Sequence, residues 1–126
     1  MHQHGALAYQ QTARQTANPR DLEANLLAKL AGRLQQIRDN WPVSPSELEE
    51  ALTRNRKVWS IFVAAVTDEG SPLPAPVREN IANLGIFVMG QTLEVMGAPA
   101  PEKLDALINI NRQIAAGLRS KPNQAA

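Results

Sequence analysis

The stretch LTRNRKVWSIFV, residues 52–63, holds most of the side chains with chemistry to offer. Arg54, Arg56 and Lys57 place three cations within four positions, a grouping that could touch phosphates. Three such contacts release few counterions, so the cluster alone would bind nucleic acid weakly at physiological salt. A solvated helix face, with one arginine paired to Glu50 or Glu79, accounts for the triplet better than direct nucleic-acid binding. Catalytic groupings are missing elsewhere. His2 and His4 form a His-x-His pair, but a terminal pair without further ligands is usually only a tail. Glu47, Glu49 and Glu50 read as charge at a helix start, and Asp68-Glu69 as loop surface. No serine, threonine or lysine lies beside a base in a recognisable motif, and Gly85, Gly90 and Gly97 do not make a phosphate loop. No enzyme, cofactor or metal site is expected.

Two amides are more informative. Asn55 and Asn111 each replace an apolar residue on an otherwise apolar stripe. A buried amide costs stability unless it is hydrogen-bonded, and once bonded it sets the register between helices. Spacing favours a structural role in which the two face each other or cap a backbone group; contact with a partner helix is the functional reading. Trp59 and Phe62, or Phe87 and Met89, have the character of hot-spot anchors, and equally of core. Spacing favours core for Trp59 and an interface for part of the third helix.

The elements that must position these residues are helical. Asn18-Pro19 reads as an N-cap followed by proline in the first turn. Leu22, Leu26, Leu27, Leu30, Leu34 and Ile37 follow at helical spacing, which predicts a helix over 19–40 ending before Pro42. Gly32 would give that helix close approach to a neighbour. A second helix opens in SPSELEEAL, capped by Ser44 or Ser46, with Ser46 and Glu49 suited to a capping box. Its stripe is Leu48, Leu52, Asn55, Trp59, Phe62 and Val66, with Arg54 and Lys57 turned to solvent, and it stops near Thr67. The loop DEGSPLPAP leads to a third helix from about Pro74–Val77 to Gly97. That helix is apolar on nearly all sides, so it is either central or keeps a second apolar face for a partner. A fourth runs from about Pro101 to Leu118, lined by Leu104, Leu107, Ile108, Asn111, Ile114 and Leu118.

These elements predict an all-α class: a small bundle of four main helices behind a polar N-terminal arm. Residues 1–17 form the flexible arm, 18–120 the helical domain and 121–126 a disordered tail. With 126 residues the chain makes one domain with a modest core. Apolar residues are 44% but aromatics only 4%, a mix that favours close packing through small side chains. The formal net charge of +1 builds in no strong attraction to nucleic acid or an anionic membrane. No cysteine is present, which rules out disulfides and thiol chemistry. No apolar run approaches the roughly 20 residues that span a bilayer, and the N-terminus lacks the pattern of a signal peptide. A soluble, cytoplasmic protein without membrane insertion is expected.

The stretch ALTRNRKVWSIFV resembles the A-L-x-x-N-R-x-x-W-x-x-F signature of the FlaF family of flagellar biosynthesis proteins. AYQQTARQTANPRDLEANLL is similar to the family's tyrosine-containing arm, followed by a proline and an acidic first turn. LPAPVRENIANLGIFV resembles its L-P-x-x-L-R-x-x-I-x-x-L-x-x-F/W-V segment, with Val77 where leucine is common. LDALININRQIAAGL carries its closing L-I-x-x-N-R-x-I-x-x-G-L.

The resemblance covers nearly the whole chain. It implies an all-α cytoplasmic protein needed for flagellin production, acting as a flagellin chaperone or secretion factor, with FlbT as its functional counterpart. The cargo would be an amphipathic terminal helix of flagellin. Trp59, Phe62, Phe87 and Val88 are then candidate anchors. Asn55, Arg56, Asn111 and Arg112 are candidate polar selectors, and Tyr9 would close over the cargo from the arm. Post-transcriptional control of flagellin synthesis together with FlbT stays open as the alternative.

Overall fold

The computed structural model describes residues 19–120. The arm, the tail and the proposed Asn18 cap lie outside them. All regular structure among the described residues is helical. It comprises α1 (Pro19–Asp39), α2 (Pro45–Thr67), α3 (Ala75–Gly97), a 3-10 turn (Pro101–Leu104) and α4 (Asp105–Arg119). The fold is an all-α four-helix bundle built as two pairs. α1 lies along α4, α2 lies along α3, and contacts between α1 and α2 join the pairs.

Small residues explain the closeness of α1 and α4. Ala24 and Ala31 of α1 and Ala115 of α4 are buried, beside Leu27, Leu30, Leu34, Leu107 and Ile108. The spacing of 24, 27, 31 and 34 is a heptad-like seam. Leu22 and Leu26, expected on the buried stripe, are instead 41% and 45% exposed. The alanines take the inward face because they allow the backbones to approach. Gly32 does not serve that purpose: a Cβ there would meet nothing within 4 Å. Arg38 at the end of α1 donates to both carboxylate oxygens of Asp105 at the start of α4, where each charge also suits its helix dipole.

α2 follows its expected stripe: Leu48, Leu52, Asn55, Trp59, Phe62 and Val66 are all buried. Its cap is Ser44, whose Oγ accepts from the Glu47 amide at 3.2 Å, with Pro45 in the first turn. The expected Ser46–Glu49 box is not what starts the helix, because the first turn begins one residue ahead of Ser46. Beyond Thr67, Asp68 Oδ2 accepts from the Gly70 amide and the Asp68 carbonyl from that of Ser71, which closes the loop.

α3 is peripheral rather than central. It buries one stripe only, Ile81, Gly85, Val88, Thr92 and Val95. Gly85 is what lets it sit so close to α2, since a Cβ there would lie 2.7 Å from Val63 Cγ2. Its C-terminal end is held by Lys103, whose Nζ donates to Glu94 Oε2 at 2.8 Å and to the Ala98 carbonyl at 2.7 Å. Gln91 Nε2 donates to the Lys103 carbonyl at 2.9 Å.

Candidate partner-binding surface

The two conspicuous asparagines meet inside the bundle. Asn111 Nδ2 donates to Asn55 Oδ1 at 2.7 Å, and Asn111 Oδ1 accepts from Trp59 Nε1 at 2.8 Å. All three residues are fully buried. The indole has only a donor, so the orientation of both amides follows from its bond to Asn111. The relay ends at Asn55 Nδ2, which has no partner among the described residues. Trp59 also packs edge-on against Phe62, with ring centroids 5.4 Å apart.

This geometry revises the candidate contacts. Trp59, Phe62, Val88, Asn55 and Asn111 are interior residues, so in this conformation they shape the bundle and offer no surface to a partner. Arg112 is exposed and donates to Gln35 Oε1 of α1 at 3.3 Å. Arg56 is half-buried, and Arg54 and Lys57 are exposed. Arg54 reaches Glu50 at 3.9 Å, the pairing expected for a solvated face. Phe87 is 45% exposed. Tyr9, His2 and His4 lie outside the described residues. Among the described residues no three metal-ligating side chains converge.

Spacing alone did not single out the exposed apolar residues of α3. Ile86 and Leu93 of α3 are 71% and 67% exposed, and Met96 is partly so. With half-buried Ala82 and Met89 they form the series 82, 86, 89, 93, 96. That 4-3-4-3 spacing repeats the buried series 81, 85, 88, 92, 95, displaced by one residue, or about 100° around the helix. α3 therefore carries two heptad seams side by side: the inner one packs on α2, and the outer one faces solvent. The outer seam runs about 21 Å at 1.5 Å per residue and contains no charge. At its far end lies a cavity of about 390 Å³ lined by Trp41, Val43, Leu48, Leu52, Met96 and Pro99. Phe87 falls on the opposite flank of the buried seam. The sequence signal for the outer seam was the all-round apolarity of α3. A second apolar surface, Leu26 with Ile61, borders the α1–α2 groove.

Two carboxylates are perturbed. Burial raises the pKa of Glu23, with Arg20 opposing from 3.0 Å. The bond to Lys103 lowers that of Glu94.

Compared with known protein families, the sequence matches the model of the flagellar protein FlaF over residues 6–118. The chain belongs to the FlaF family. No curated protein and no solved structure matches it. The FlaF match spans all four helices, so the asparagine relay, the inner seam and the outer seam all lie within the shared domain. No helix among the described residues of this FlaF chain is long and apolar enough to cross a membrane.

Proposed function

We propose that this FlaF protein binds flagellin, packing an amphipathic terminal helix of the cargo along the outer seam of α3 and shielding it before export. The observation that carries the reading is the seam itself: uncharged, about 21 Å long at helical rise, and spaced as a helix requires of a helical partner. Ile86 and Leu93 are the anchors and Met89 and Met96 the adaptable contacts, since methionine fills irregular gaps in partner surfaces. The seam contains no buried charge pair to lock the complex, which suits a cargo that must be released.

Calorimetric titration with monomeric flagellin tests this, using the full-length cargo and forms lacking either terminal helix. Binding should be stoichiometric and lost with one terminal helix. Leu93→Glu should weaken it at least tenfold, or about 1.4 kcal/mol, with far-UV circular dichroism unchanged. Absence of binding to every form of flagellin would favour control of flagellin synthesis, with FlbT as the next partner to titrate.

A further inference from the structure

We propose that the chain's own segment before Pro19 docks, through Leu7 and Tyr9, in the groove formed by the start of α1, the start of α3 and the end of α4. The groove has a volume of about 450 Å³ and is walled by Leu73, Val77, Ile81, Ile114 and Leu118. That volume falls in the range of roughly 300–1,000 Å³ typical of sites that enclose a small ligand, ample for one leucine and one tyrosine side chain. This docking is separate from the seam proposed for flagellin.

Position argues for this occupant. Arg20, the second described residue, lines the groove, so the segment leaves the body at the groove's edge. Tyr9 lies ten residues before Pro19, a reach of up to about 35 Å when extended. A short tether gives its residues an effective concentration in the millimolar range, which a free partner must outcompete. Chemistry agrees. The walls are mainly aliphatic, with Arg20, Asp21, Asn80, Arg119 and Ser120 as the polar part of the lining, and Leu7 and Tyr9 are the bulky apolar residues nearest the tether.

Two further observations point the same way. The FlaF match begins at residue 6 and ends at Leu118, so the shared domain includes both the segment and the groove wall. Gly117 also lines the groove. Neither a positive φ nor a close neighbour among the described residues calls for glycine there, although glycine weakens a helix. The bare α4 backbone at Gly117 leaves room for a segment to lie against it.

The chain has no cysteine, so Gln11→Cys in the full-length protein gives a single attachment point for a nitroxide. Methyl NMR signals of Val77, Ile81, Ile114 and Leu118 should broaden several-fold more than those of Ile86 and Leu93. Leu7→Ser combined with Tyr9→Ser should abolish the difference. So should Gly117→Leu, which fills the groove from a position where a Cβ meets nothing within 4 Å and so leaves the bundle folded. Uniform broadening would overturn the proposal, as would broadening centred on α3's outer seam or an effect that survives Gly117→Leu. Broadening seen only between labelled and unlabelled molecules would assign the groove to a second copy and overturn it too. Flagellin affinity is read separately through Leu93→Glu, so either proposal can fail while the other stands.

Discussion

Asn111 accepts from Trp59 and donates to Asn55, so one amide ties α4 to two turns of α2. Asn111→Ala would leave the indole donor and the Asn55 carbonyl unpaired in a dry interior, beside a small cavity. The expected loss is about 2–4 kcal/mol. Asn55→Ala should cost less, about 1–2 kcal/mol, because it removes one bond and a nitrogen that already lacks a partner. Urea unfolding followed by tryptophan fluorescence measures both. Equal losses would show that the bond to Trp59 contributes nothing. At this scale the sequence was informative: two amides on apolar stripes announced a buried polar contact. That the indole joins them was not legible, because it depends on how far α2 and α4 rotate about their own axes.

Among the elements, α3 depends on Gly85. Its neighbour Val63 is β-branched and stiff at χ1, so a methyl group at 85 must push the helices apart. Gly85→Ala should destabilise by about 1–3 kcal/mol, partly relieved by Val63→Ala. Gly90→Ala meets nothing within 4 Å and should stabilise by up to about 1 kcal/mol. Thermal unfolding of the three variants checks the contrast; stabilisation by Gly85→Ala would mean that α2 and α3 are not held at this spacing. Helix boundaries were largely readable from caps, prolines and periodicity. Which seam of α3 packs inward was not, since two apolar seams one residue apart are nearly equivalent to a lone helix. Gly85 breaks the tie by admitting α2 on its side.

For the whole molecule, stability as a function of pH reports the two perturbed carboxylates with opposite signs. Burial raises the pKa of Glu23, so the folded state holds a proton that the unfolded chain has released. Stability then falls as pH rises from the ordinary carboxylate pKa to the raised one. The lowered pKa of Glu94 contributes stability above its unfolded pKa, lost as pH falls through the folded value. Glu23→Gln should therefore flatten the decline on the upper side of the carboxylate range and leave the acid side unchanged. Calorimetric Tm against pH gives the test; a curve displaced without a change of slope would sink it.

Local physics explains what the sequence determined alone. Proline, capping serine and heptad spacing act over a few residues, so four helices and most of the core of α2 could be read directly. The family signature was legible for the same reason, as residues at fixed spacing. Tertiary structure decided the rest. Val88 is apolar and suits either a core or an interface; only the placement of neighbouring helices consigns it to the core. Ile86 and Leu93 are the same kind of residue, and they face solvent because α2 covers the adjoining face of α3 and no other helix among the described residues covers theirs. Exposure belongs to the assembled bundle, whereas apolarity belongs to the residue.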